Sequence, residues 1–253
     1  MAAPRSPVAL VTGASRGIGR AIARHLAGRG VRVAGHYHRN RVAAEAMLAA
    51  LPGSDHALFA ADLTVPAAVE GLVARVLRAF GRIDLLVNNA GIYEAHAPAE
   101  VGFAEWRRRW DRTVAANLSA PAHLSYLVAR AMRRHRGGRM VNLSSRGAFR
   151  GEPRAPAYGA TKAGLNALGQ SLARALASEH ILVFTLAPGW VDTDMAAEHL
   201  RGARSAEIVR EIPLGRVATV DEVAAAATWL ALDAPESMTG CIVDLNGASY
   251  LRT

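Results

Sequence analysis

Lysine is almost missing from this chain. Of its 30 lysines and arginines, 29 are arginine, and the exception is Lys162 in AYGATKAG (157–164). The two cations differ: arginine is a planar, permanently charged fork, whereas lysine is a compact ammonium on a flexible stem that can share a proton. A solitary lysine against that background marks either a site that needs the ammonium or a leftover surface residue, and residue counts leave both open. Cysteine is scarce as well. Cys241 has no companion, which excludes an intrachain disulfide and a cysteine-built metal cluster and fits a reducing cytoplasm. No metal site is expected. Long apolar runs are lacking too: VAAAATWLAL (223–232) is too short to span a bilayer. MAAPRSPVALVTG (1–13) moves straight into strand and turn without a cleavage-like region. A cytoplasmic protein that does not engage a membrane is expected. The formal charge of +9 raises the question of a polyanion. The arginines are scattered, however, and helix-turn-helix, zinc-finger and aromatic RNA-binding patterns are absent, so no nucleic-acid partner is expected.

What the chain does have is alternation. Apolar strand candidates at 8–12, 31–37, 56–63, 83–91, 139–145, 181–189 and 241–247 are separated by helix-length segments. Those helical segments fall at 19–30, 41–51, 67–81, roughly 103–135, the stretch carrying Tyr158 and Lys162, and 220–232. Strands alternating with helices imply an α/β fold with a doubly wound, mostly parallel sheet flanked by helices on both faces. No linker, repeat or low-complexity tract divides the 253 residues, so a single domain is expected over 1–253. In such a sheet, ligands bind beyond the carboxyl ends of the strands. Gly13, His36 to Asn40, Asp62, Asn88, Ser145 and Pro188 all fall there.

TGASRGIG (12–19) lies between the first strand and the first helix. Gly13 can turn sharply, Gly17 admits a ligand close to the backbone, and Gly19 lets the helix pack on the sheet. The helix start offers unpaired N–H groups and a positive dipole end to a diphosphate. The choice of dinucleotide falls at the end of the second strand, where an acid binds the NAD ribose and basic residues accommodate the NADP 2′-phosphate. The segment is GHYHRN (35–40), without a carboxylate. Arg39, with Arg16 from the glycine turn, can clamp the phosphate by charge-assisted hydrogen bonds, and His38 or Asn40 can assist. NADP(H) is the expected cofactor.

A Tyr-x-x-x-Lys match arises by chance at roughly 5 of 253 positions, about one in fifty, so the pair Tyr158 and Lys162 needs company. It has company. TGASRGIG, Asp62-Leu63, NNAG (88–91), Asn117, Ser145, YGATK (158–162) and PGWVDT (188–193) stand in an order and spacing that resemble the short-chain dehydrogenase/reductase family across nearly the whole chain. The resemblance implies a Rossmann-type fold and a catalytic tetrad of Asn117, Ser145, Tyr158 and Lys162. Ser145 is preferred to Ser144 because its separation of thirteen residues from Tyr158 matches the family spacing. The implied cofactor contacts on the glycine turn are Gly13, Ser15, Arg16, Gly17, Ile18 and Gly19. Asp62 and Leu63 would meet the adenine side, while Asn89, Ala90 and Gly91 would line the cleft beside Asn88, which steadies the central strands. Pro188, Gly189, Val191 and Thr193 would meet the nicotinamide end, together with Tyr158 and Lys162.

The residue types suit carbonyl reduction. Hydride goes to the carbonyl carbon, and Tyr158 supplies the proton for the developing alkoxide. An unperturbed phenol has a pKa of about 10, and Lys162, one helical turn away, is expected to lower it. Ser145 would hydrogen-bond the substrate oxygen. By the same resemblance, Asn117 would hold a water that relays protons to Lys162.

Within the family the chain is most similar to 3-oxoacyl-acyl-carrier-protein reductases, through RAMRRHRGGRMVN, IPLGRVATVDEVA and TGCIVDLNGASY. That resemblance makes a 3-oxoacyl thioester the candidate substrate and acyl carrier protein the candidate partner, met by Arg130 and Arg174. It also implies a homotetramer. After NNAG the chain reads IYEAHAPAEVGFAEW, a departure that leaves a free ketone, sugar or polycyclic compound open. HYHRN is similar to the cofactor segment of pteridine reductases, so a pterin stays open too, as does an NADP-binding sensor without activity. The substrate wall is expected from Tyr93, Glu94, residues 146–157 and 190–200. Phe149, Trp190 and Met195 would give apolar contact there, and Arg150 or Arg154 would meet an anion.

Overall fold

The computed structural model describes residues 6–135, 137–200, 202 and 205–252, without the side chains of 198 and 199. The strand β1 (Val8–Val11) is buried at all four positions, and its period of two splits the core. Ala9 and Val11 join one apolar cluster, and Leu10 joins the other on the opposite face. A strand covered on both sides reads as a continuous apolar run, which is the mark of a parallel sheet.

Six further strands complete the sheet: β2 (Arg32–Tyr37), β3 (Ala57–Ala60), β4 (Leu85–Asn88), β5 (Gly138–Leu143), β6 (Ile181–Pro188) and β7 (Ile242–Leu245). Their spatial order is β3-β2-β1-β4-β5-β6-β7, and every pairing is parallel. The chain winds outward from β1 to β3, then crosses to β4 on the other side. This reversal between β1 and β4 opens a crevice at their carboxyl ends.

The helices are α1 (Gly17–Gly28), α2 (Arg41–Ala49), α3 (Pro66–Phe80), α4 (Phe103–Val114), α5 (Ala120–Met132), α6 (Gly147–Arg150), α7 (Pro156–Leu176), α8 (Ala197–Leu200), α9 (Ser205–Arg210) and α10 (Val220–Leu232). One face of the sheet is covered by α1, α2 and α10 through Ile22, Leu26, Met47, Val223 and Leu230. The other is covered by α3, α5 and α7 through Leu72, Val76, Leu124, Val128 and Leu176. Each fully buried leucine among these contributes about 2 kcal/mol.

The ends of these helices follow local chemistry. A capping box starts α10: Thr219 Oγ1 accepts from the Glu222 N–H at 3.1 Å, and the Glu222 carboxylate accepts from the Thr219 N–H at 2.8 Å. Pro66 opens α3, and Gly81 closes it in the left-handed region at φ 78°. The stretch read as one helix over 103–135 contains a π turn, Ala115–Ser119, between α4 and α5. Such turns insert a residue into the helical ladder and recur at functional sites; Asn117 sits in this one. No described helix is long and apolar enough to cross a membrane.

Candidate active site

A cleft of about 1020 Å³ lies along the carboxyl ends of the strands. The glycine-turn residues Gly13, Ser15, Arg16, Gly17, Ile18 and Gly19 line it, as do His38, Arg39 and Asn40 after β2 and Asp62 and Leu63 after β3. Asn89, Ala90 and Gly91 follow from β4, and Pro188, Gly189, Val191 and Thr193 from β6. Ser145, Tyr158 and Lys162 line it too. Of the expected catalytic and cofactor-contact residues, Asn117 alone is set back from the lining.

The turn after β1 leads into a helix start that can cradle an anion. Gly13 and Gly17 adopt φ 65° and 52°, which a side chain would strain. A Cβ on Gly19 would collide with the Gly13 carbonyl. Arg16, the N-cap of α1, provides no side-chain cap, so the first N–H groups of the helix face the cleft unpaired. Such a terminus suits a diphosphate, and the cradle fits a dinucleotide. Thr12 and Asn89 brace it from β4: Thr12 Oγ1 accepts from the Asn89 and Ala90 N–H groups, and Asn89 Nδ2 donates to the Thr12 carbonyl at 2.8 Å.

His36, placed by the sequence at the ligand end of β2 without a role, is a brace. Its Nδ1 accepts from the Gly13 N–H at 3.1 Å, which leaves the proton on Nε2 to be donated to the Ala61 carbonyl, also at 3.1 Å. One neutral ring thus ties the ends of β1, β2 and β3 together. Burial pushes its pKa down to about 4. At the outer rim, His38 approaches Asp62 at 3.4 Å, and Asp62 is held by Thr64. Among the described residues the guanidiniums of Arg16 and Arg39 make no hydrogen bond or ion pair, so both are available to a phosphate. The Asn40 side-chain oxygen is already engaged as the N-cap of α2, accepting from Ala43 N–H at 3.0 Å.

Tyr158 projects from the first turn of α7 beside Ser145. Ser145 Oγ also accepts from the Gly147 N–H at 3.1 Å. Ser144 faces the other way, donating to the Lys162 carbonyl at 3.2 Å. Lys162 Nζ donates to the Leu143 carbonyl at 2.7 Å and lies 5.5 Å from the centre of the Tyr158 ring.

One expectation fails here. Lys162 was expected to pull the phenol below its ordinary value, yet Tyr158 is pushed up to about 12. Burial of the hydroxyl is the dominant cause, and the neighbouring Ser145 hydroxyl opposes it only partly. The ammonium sits over the ring face with its proton committed to Leu143, and burial lowers Lys162 itself to about 8. Asn117 was expected to hold a relay water, and its side chain is engaged elsewhere. Both ends of its amide are taken by Ile92 instead: Oδ1 accepts from the N–H at 2.8 Å, and Nδ2 donates to the carbonyl at 2.9 Å.

The substrate side also departs from expectation in places. Tyr93, Trp190, Met195, Arg150 and Arg154 line the cleft, joined by Arg112 from α4, which the sequence did not single out. Phe149 does not reach it; the ring is stacked on Tyr250 at 6.0 Å under the Arg252 guanidinium. Glu94 turns to Arg112 at 2.7 Å. Tyr93 packs edge-on against Tyr158 at 5.2 Å. His96, fully buried, accepts from the Ala157 N–H at 3.1 Å and so caps the start of α7 from a distance.

A glycine cradle facing a Ser–Tyr–Lys wall across one crevice decides the family. The chain belongs to the short-chain dehydrogenase/reductase family. A family model described as Enoyl-(Acyl carrier protein) reductase matches residues 13–247. The chain is 38% identical over 244 residues to a 3-oxoacyl-[acyl-carrier-protein] reductase of Escherichia coli, covering 96% of this chain and 97% of that protein. It is 36% identical to the proteins of the same name from Haemophilus influenzae and Staphylococcus aureus, covering 96% of this chain and 98% of each. The protein is an oxidoreductase that uses a nicotinamide dinucleotide.

Proposed function

We propose that this short-chain dehydrogenase/reductase reduces a ketone with NADP(H), and that a 3-oxoacyl thioester is the first substrate class to be tried. The observation that carries this reading is that Ser145, Tyr158 and Lys162 line the same cleft as the glycine cradle. NADPH, when bound, supplies the hydride. Arg39 and Arg16 hold its 2′-phosphate, the first turn of α1 holds the diphosphate, and Val191 and Thr193 meet the nicotinamide end. Ser145 donates to the carbonyl oxygen and stabilises its developing charge. Tyr158 gives that oxygen its proton.

A phenol pushed up to about 12 keeps its proton throughout the neutral range, which suits an acid in the reducing direction. Lys162 is cationic below about pH 8 and restores the proton through the buried side of the site. With the Asn117 amide bound to Ile92, a relay water has the main chain of the π turn to use rather than the side chain.

The relatives are named for an acyl carrier protein. Arg130 and Arg174 are exposed and available to such an acidic partner, although Arg130 also hydrogen-bonds Tyr126 at 3.2 Å. A homotetramer in the cytoplasm is part of the same proposal. The test is NADPH oxidation against a panel of an acetoacetyl thioester, simple ketones and a pterin. Turnover of the thioester or of a ketone supports the reading. NADPH binding without oxidation by any of them would make the chain a sensor.

A further inference from the structure

Arg146 follows Ser145 directly and is 8% exposed, the only arginine so deeply buried among the described residues. Its backbone N–H donates to the Pro188 carbonyl at 2.8 Å, which pins it to the cleft wall. Its guanidinium makes no hydrogen bond among the described residues. Nη1 is sealed from solvent without a partner, and the Glu211 carboxylate stops 3.9 Å away, beyond hydrogen-bond reach. A buried guanidinium left unbonded is costly, and folds rarely retain one without a use for it. Arg150, one helical turn on, donates to the same Glu211 oxygen at 3.2 Å. Burial and the like charge of Arg150 both push the Arg146 guanidinium below its ordinary value, and an anion would relieve both. Glu152, the other carboxyl on this wall, is pushed up by burial and makes no hydrogen bond to either arginine. The Arg146 fork is therefore unfilled, and Arg150 spends one donor on Glu211.

We propose that Arg146 and Arg150 form a carboxylate-binding subsite, and that the ketone reduced in this cleft carries a carboxylate on the same molecule. The inference rests on the reductase reading and narrows its substrate. Glu211 is the internal stand-in for that group: it engages Arg150 and falls short of Arg146. It follows α9, whose Ile208 lines the same cleft, as does Glu211 itself. An incoming carboxylate displaces Glu211 and takes both forks in the planar geometry that arginine favours.

The experiment is a thermal-shift titration of the full chain with NADPH present, using 4-oxopentanoate, its methyl ester and inorganic phosphate as probes. The wild type is compared with Arg146→Met and Glu211→Gln. The acid is expected to raise the melting temperature and the ester not to. Arg146→Met should abolish that shift, and Glu211→Gln, which removes the internal competitor, should bind the acid at least threefold tighter. In turnover, Arg146→Met should lower the acid-to-ester ratio of kcat/KM at least tenfold. Equal response to acid and ester, or undiminished acid binding by Arg146→Met, overturns the subsite. Stabilisation by phosphate alone overturns it in favour of a phosphate site. If Arg146→Met does not fold, Glu211→Gln carries the test, and unchanged affinity for the acid rejects the proposal. Acid-specific binding with no ketone turned over would leave the subsite standing and reject the reductase reading instead.

Discussion

Lys162 donates to the carbonyl of Leu143 at 2.7 Å, from a side chain that is 5% exposed. That bond gives the chain's single lysine a structural reason. A compact ammonium fits beneath the Tyr158 ring and reaches a β5 carbonyl, where a wider and permanently charged guanidinium would neither fit nor release a proton. Burial lowers its pKa to about 8, so the cation is present below pH 8 and lost above it. The pH profile of kcat/KM for ketone reduction should therefore fall as pH rises through about 8. In Lys162→Arg the charge persists, so whatever activity remains should lack that limb. An unchanged limb in the variant would assign it to another group.

The two adjacent serines predict opposite behaviour. Ser145→Ala removes the hydroxyl that would bond the substrate oxygen beside Tyr158 and should lower kcat by about a hundredfold to a thousandfold. Ser144→Ala loses a buried hydrogen bond to the Lys162 backbone and should cost about 1 kcal/mol of stability, with kcat within a few-fold of the wild type. Steady-state kinetics and denaturant unfolding on both variants separate the roles.

Arg39→Ala should weaken NADPH by about tenfold to a hundredfold, the range of one charge-assisted hydrogen bond, and leave NADH nearly unaffected. Parallel KM measurements with the two cofactors check this. Equal losses for both would mean that Arg39 does not read the 2′-phosphate.

His36 predicts a pH-dependent stability. Its folded pKa, about 4, lies below the ordinary value of 6.5, so the unfolded chain takes up the proton first. Stability from this group is complete above pH 6.5 and is lost as pH falls toward 4, by about 3 kcal/mol in all. Unfolding free energies between pH 7 and 4.5 should fall more steeply for the wild type than for His36→Asn. Parallel curves would remove His36 from this role.

Much of the molecule was legible in the chain. β1 and β6 are apolar at nearly every position because both faces of the sheet are covered, and the capping box of α10 is visible as TVDE (219–222). The glycine turn could be read because only glycine tolerates the positive φ of Gly13 and the close approach at Gly19. What failed depends on surroundings. A spacing of four places Tyr158 and Lys162 on one helical face but says nothing of burial, and burial decides the direction in which the phenol shifts. Asn40 reads equally well as a phosphate ligand or a helix cap, and its side-chain oxygen is the cap. Phe149 looked like a substrate contact because its partner Tyr250 lies about a hundred residues away. The π turn around Asn117 leaves no pattern in the residues at all.

The most direct test of the account is Tyr158→Phe, measured twice on the same preparation: NADPH affinity by fluorescence titration, and turnover of the best ketone in the panel. Loss of the proton donor should reduce turnover by about a thousandfold or more while the NADPH dissociation constant stays within about threefold. A variant that still turns over within tenfold of the wild type would contradict proton donation by Tyr158.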